Sequence, residues 1–259
     1  MHSALAADVD IAGVDGCKAG WIAVTKRRDE PISVRVCGTF GQVLAGLAED
    51  AIVAIDMPIG LPAFTRHGGR GPEKLVRRFL GQRQSSVFSI PSRAAVYAAD
   101  EPFTTLDRWY EAHRIASGVA RETSDPPRGI SIQAFGIFSK IRELDRLMRE
   151  RPELRLRVVE SHPEVAFWRL DGEQAMALPK KVKGRVNPAG MEERKALLSA
   201  NGLERAFLDA PPPRGAGEDD FLDAAAMLLI AARHARGETR PFPDPPGFDE
   251  YGIPVAIRA

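Results

Sequence analysis

Apolar residues fall along this chain in short runs, and several of those runs end on an acid. The clearest is Ala51–Ile55, which leads without a break into Asp56 before Pro58, Gly60 and Pro62 turn the chain. An unbroken run of this length suits a strand covered on both faces, as in the interior of a parallel sheet. Pro58 cannot donate to a ladder and Gly60 admits backbone angles that most residues avoid, so the strand is expected to stop directly after the acid. Upstream, Val9–Asp15 reads as a first strand that also ends on an acid, followed by the turn GCKAG and a second run, Trp21–Val24. Beyond RRDEP, Ile32, Val34 and Val36 alternate with Ser33 and Arg35, the period of a half-exposed strand. Turns this short join strands as an antiparallel meander, because a parallel return needs a crossover. A helix over Gln42–Glu49 supplies that crossover into the Asp56 strand.

Downstream the pattern is mainly helical. Pro72 opens a predicted helix holding Leu75, Val76, Phe79 and Leu80, with Gly81 near its end. SSVFSIPSR reads as an ordered loop, Thr104–Gly118 and Ile130–Glu150 as helices, and ETSDPPRG as the turn between them. Leu154–Glu160 alternates and then becomes apolar, predicting a further strand with an acid, Glu160, at its end. Pro163 suits the first position of the next helix, Leu178–Arg185 (LPKKVKGR) reads as a basic loop, and Glu192–Asn201 as a short helix closed by Gly202. The last long helix is predicted over Asp219–Arg236, with acids in its first turn and cations in its last. A Pro-rich tail then closes the chain with a short strand at its end. The expected class is α/β, one domain over residues 1–259 with a helical and loop insertion at about 63–130.

Composition narrows this little. A hydrophobic content of 44%, a charged content of 27% and a net charge of +1 are ordinary for a globular protein and give no whole-molecule attraction to nucleic acid or membrane. No apolar run approaches the ~20 residues that span a bilayer. The first ten residues lack a basic start and an apolar stretch, so a cytoplasmic protein is expected. Cys17 and Cys37 offer neither a disulfide framework nor metal-ligand spacing.

The acids carry the candidate chemistry. Asp15, Asp56 and Glu160 end strands, and the last helix adds Asp219, Asp220 and Asp223. Residues three or four apart share a helix face, so Asp223 can point with Asp220 or with Asp219. Placing the first strand beside the Asp56 strand makes Asp15 and Asp56 neighbours at one sheet edge, and a helix packed on the sheet can bring Asp223 to them. Clustered carboxylates repel unless a cation neutralises them, and hard oxygen ligands suit Mg2+ or Mn2+. Two such ions, ~3.5–4 Å apart, activate a water and stabilise the leaving oxygen in phosphodiester hydrolysis. Taken singly, each acid has a plainer role available as a turn or helix cap.

GVDGCKAGW, AIDMPIGLP, LGQRQSSVFSIPSR, IFSKIRELD, VVESHPEVAF and DDFLDAAAMLLIAAR occur here in that order. Together they closely resemble the bacterial family known as domain of unknown function 429, regarded as predicted nucleases with a ribonuclease-H-like fold. The resemblance implies a mixed five-stranded sheet of order 3-2-1-4-5, strand 2 antiparallel, flanked by helices. It also implies metal ligands on strand 1, at the end of strand 4 and on the last helix: Asp15, Asp56 and the Asp220/Asp223 pair, as in Holliday-junction resolvases. Glu160 belongs to the family motif ESHPE and is a further candidate ligand or substrate contact. Resolvase-like relatives often pair, so a homodimer is expected too.

Arg66, Arg70, Arg77, Arg83 and Arg93 follow Asp56 in sequence and are candidate phosphate contacts on a nucleic-acid substrate. A solvated helix face is the competing reading. Lys181 in the basic loop is a similar candidate. His162 can orient a water or phosphate, or simply cap the following helix. Trp21, Trp109 and Trp168 are too scattered for a base-stacking platform and read as core. Two other functions fit the same topology: an actin-like ATPase, whose first phosphate hairpin would be GVDGCKAGW, and a nucleic-acid-binding protein with degenerate chemistry. No second hairpin and no adenosine loop is evident for the former.

Overall fold

A computed structural model of the chain describes Leu5, residues 8–66, 68–99 and 103–259. Residues 1–4 and 6–7 of the N-terminal segment, and 67 and 100–102 of the expected insertion, lie outside the described residues. Strands β1 (Ile11–Cys17), β2 (Gly20–Lys26) and β3 (Ser33–Cys37) form the expected meander. Helix α1 (Phe40–Ala45) crosses over to β4 (Ile52–Asp56). With the later strand β5 (Val158–Glu160), they build a sheet of order β3-β2-β1-β4-β5. β2 runs antiparallel to β1 and β3, whereas β1, β4 and β5 are parallel. The sheet order and the reversed second strand are those expected from the sequence.

Apart from Asp15 and Asp56, β1 and β4 carry only apolar residues and glycines, because both sheet faces are covered. On one face lie α5 (Pro163–Leu170), α6 (Pro188–Ala200) and α7 (Glu218–Ala235). On the other lie α1, α3 (Leu106–Glu122) and α4 (Phe138–Glu150). α7 is the central support, packing across β1 and onto β4 and β2. Gly13 makes that approach possible. A Cβ built there would stand 2.0 Å from Leu228 N and 2.1 Å from Ala224 O. Gly60 does comparable service after β4: at φ +76° it carries the chain past Pro254, whose carbonyl oxygen a Cβ would meet at 2.7 Å.

Several element boundaries differ from expectation for local reasons. Thr39 and Gln42 form a capping box, which starts α1 two residues before Gln42, and the helix ends at Ala45 before Gly46. The expected Ile130–Glu150 helix is two, Ile132–Phe135 and α4, because Ser131 caps the first and Gly136 closes it. Pro152 starts a 3-10 turn over Pro152–Leu156, leaving only Val158–Glu160 as strand. The helix opened by Pro72 is α2 (Pro72–Val76), which passes into 3-10 turns over Arg77–Phe79 and Gly81–Ser86. The Pro-rich tail forms a hairpin of β6 (Pro241–Phe248) and β7 (Pro254–Arg258), a pairing whose irregular register accommodates prolines. Both cysteines are free and buried, as are Trp21 and Trp168, while Trp109 is half-buried. No helix among the described residues is long and apolar enough to cross a membrane.

The Gly13 contact gives a direct test. Gly13→Ala forces a methyl group into the backbone of α7, and is expected to destabilise the protein by roughly 2–4 kcal/mol in denaturant unfolding. An unchanged midpoint would show that α7 can lift away from β1 at little cost.

Candidate metal centre

The parallel pairing of β1 with β4 sets Asp15 opposite Asp56. Both strands end at the same sheet edge, and α7 crosses it. One carboxylate oxygen each from Asp15, Asp56 and Asp223 lies within 4.8 Å of the others. Asp15 is 7% exposed and Asp223 1%, so repulsion among them is poorly screened. Burial first, then the charges of Asp56 and Asp223, raises the Asp15 carboxyl well above its ordinary value. Burial and Asp223 together lift Asp56 to about 7. Asp15 Oδ1 accepts the Gly16 N–H at 2.6 Å.

The nearby cation is Lys180, whose ammonium donates to Asp223 Oδ2. Burial alone would lower its pKa, but Asp223, Asp15 and Asp56 more than offset that and hold the amine charged. Asp223 Oδ1 is buried and has no hydrogen-bond partner. An orphaned carboxylate oxygen costs free energy unless a cation or donor meets it. The three-carboxylate donor set and the orphaned oxygen therefore fit a hard divalent cation.

The other acids expected here have different partners. Asp220 Oδ2 accepts the Gly217 N–H at 2.9 Å and caps the start of α7. Asp219 pairs with Lys181 at 2.6 Å. Of the two adjacent lysines, Lys180 and not Lys181 faces the carboxylates. Sequence reading missed Lys180 because nothing in KK distinguishes which side chain turns inward. Glu160 lies at the end of β5, but both its oxygens are held by Arg70, at 2.6 and 3.0 Å, and Ile59 N–H adds a bond of 2.7 Å. His162 Nδ1 accepts the Glu164 N–H at 3.2 Å and Nε2 lies 3.3 Å from Ser86 O, so the ring caps α5. Burial keeps that ring neutral by lowering its pKa.

The arginine segment does not form one exposed basic face. The Arg70 side chain is fully buried and also binds Glu73. Arg77 donates to Val87 O and Ser89 Oγ, and Arg83 to Gln82 Oε1. Arg93 joins Asp145 and Asp249 at 2.9 and 2.7 Å on the far side of the Pro62 turn. Arg66 remains exposed, over the Phe64 ring and 3.8 Å from Asp125. Beside the carboxylates opens a cavity of about 450 Å3, walled by Met57, Val87, Phe88, Ile90 and Ile137, with Lys140 beside Gly16.

A family profile described as "Protein of unknown function (DUF429)" matches residues 13–247, and the chain belongs to that family. No curated protein and no solved structure matches the chain significantly.

The buried carboxylates make the metal-free protein sensitive to pH. A carboxyl near 7 when folded and ~3.9 when unfolded leaves the native state binding more protons in between, so stability falls as pH rises through that window. Asp56→Asn removes one charge. Thermal melts of chelated protein are expected to show the variant roughly 2–6 °C more stable near pH 8, with the gain fading towards pH 4. A variant less stable than wild type at both pH values would contradict this account.

Proposed function

We propose that this chain is a metal-dependent phosphodiesterase acting on nucleic acid, with Asp15, Asp56 and Asp223 as the ligands of Mg2+ or Mn2+. The observation that carries the reading is the convergence of carboxylates from two parallel strand ends and a helix, within 4.8 Å, with one Asp223 oxygen buried and unbonded. The likeness to ribonuclease-H-like nucleases, with acids on strand 1, strand 4 and the last helix, supports the same assignment. A divalent ion supplies a water of lowered pKa and a counter-charge for phosphate oxygens.

The chain's own residues set the geometry and the surroundings. The β1–β4 register fixes Asp15 and Asp56, and the Lys180 contact fixes the rotamer of Asp223. The apolar wall of the cavity excludes water and offers a surface for a base or sugar. A volume of about 450 Å3 suits one nucleotide unit and not the width of a duplex. Arg66, Lys74 and Arg78, all exposed, line a shallow groove that adjoins the cavity at Arg70. They offer phosphate contacts to a flexible strand leaving the pocket. The substrate this favours is an unpaired strand or strand end, and the guanidinium groups buried in ion pairs play no part in holding it.

Single-stranded, duplex and branched DNA and RNA incubated with Mn2+ or Mg2+ test the reading. Cleavage of unpaired strands is expected, lost on chelation and reduced about 10²–10³-fold by Asp56→Asn or Asp223→Asn, with unchanged circular dichroism. Wild-type protein that leaves every substrate intact would overturn it.

A further inference from the structure

We infer that Lys180 is a resident cation of the carboxylate site, standing where a second metal ion would otherwise be needed, so that the site takes one divalent ion per chain. The inference rests on the metal reading above and adds a stoichiometry and a residue to it.

The first argument is charge. Asp15, Asp56 and Asp223 carry three negative charges when ionised, and Lys180 returns one, leaving two. One divalent ion balances that remainder, whereas two would leave the buried site positive. Occupancy points the same way. Lys180 holds Asp223 Oδ2, and Oδ1 of the same group is the buried oxygen without a partner. A carboxylate bridging two metals needs both oxygens, and here one is committed to the ammonium.

The second argument is rigidity, because a lysine that merely fills a void could swing out when metal arrives. The residues before Lys180 are pinned to α6. Glu193 accepts the Ala177 and Leu178 N–H groups, both at 2.9 Å. Arg194 donates to Leu178 O at 3.1 Å, and Asn187 Nδ2 to Pro179 O at 2.8 Å. Gly190 packs so close that a Cβ there would lie 2.2 Å from Pro179 O. Arg194 is itself fully buried in an ion pair with Glu164 of α5, at 2.6 Å. On the other side, Lys181 pairs with Asp219, one turn before Asp223 on α7. The backbone that carries Lys180 is therefore clamped between two helices.

An ammonium has three N–H donors, and the Asp223 contact uses one. The side chain is 30% exposed, so the others can reach an anionic phosphate oxygen in the cavity.

Mn2+ titration of the full chain, followed by loss of the free-ion electron paramagnetic resonance signal, tests the inference. Wild type is expected to bind one Mn2+. Lys180→Met, similar in length but uncharged, is expected to bind two, the first roughly tenfold tighter. Lys181→Met, which loses only the Asp219 contact, should stay at one. Two ions in wild type, or one ion of unchanged affinity in Lys180→Met, would overturn the inference while leaving a metal site in place. Binding of no ion by wild type would remove the metal reading itself. Should Lys180→Met fail to fold by circular dichroism, the wild-type count decides alone: one ion supports Lys180 in this role and two reject it.

Discussion

The close packing of α7 on β1 is the contact on which the rest of the structure depends. Helices are usually kept off the sheets they cover by the side chains on both. At Gly13 there is no side chain, and the helix backbone occupies the space where one would begin. That approach lets Asp223, on an otherwise apolar helix, reach the carboxylates of Asp15 and Asp56. The stretch from Phe221 to Ala232 is buried throughout, so α7 is fixed by its surroundings as a core element and delivers its acid without freedom to withdraw. Packing energy from the apolar residues holds together charges that would otherwise separate.

The walls of the cavity are held by ion pairs of a different kind. Arg70 binds both Glu160 and Glu73, and reaches Ile59 O and Gly60 O in the turn after Asp56. Arg93 binds Asp145 of α4 and Asp249 of the C-terminal hairpin turn, while Asp249 also accepts the Leu61 N–H at 3.1 Å. Two buried guanidinium groups thus fix the turn through Pro58 and Pro62 from opposite sides. Arginine suits this because its planar, always-charged head satisfies several acceptors at once when taken out of water. These are costly groups to desolvate, and losing one partner would leave the other charge buried alone.

The parts of this arrangement legible in the sequence were those set by backbone pattern. The apolar run into Asp56, the alternation of Ile32, Val34 and Val36, and the short turns were enough to imply a meander joined to a parallel strand. The strand ends made Asp15 and Asp56 neighbours only with the strand order that the family resemblance implied, and helical spacing left Asp223 sharing a face with Asp220 or Asp219. Side-chain direction was not legible. Asp219 and Asp220 differ from Asp223 only in which way they face, as Lys181 differs from Lys180. The arginines between 66 and 93 looked like one basic face because linear sequence does not show that Glu160 lies some ninety residues away in the chain and against Arg70 in space. Gly13 stood in plain view within GVDGCKAGW, but a glycine in a strand signals a close approach without saying to what.

The acids around the cavity can be told apart by their counter-charges. Glu160 and Glu73 share Arg70, and Glu164 has Arg194, so each has a guanidinium within hydrogen-bonding distance. Their charge is answered by a guanidinium, although Glu73 Oε2 and Glu164 Oε2 are, like Asp223 Oδ1, buried without a hydrogen-bond partner. Among the described residues Asp15 and Asp56 make no ion pair, and Asp223 has Lys180 alone. Three carboxylates with one lysine, two of the three buried, is a deficit the fold leaves standing, although it answers Glu160, Glu73 and Glu164 with arginines. An excess of negative charge at one place, beside acids that have their counter-charges, is the ground on which a cation is proposed as the ligand of this site.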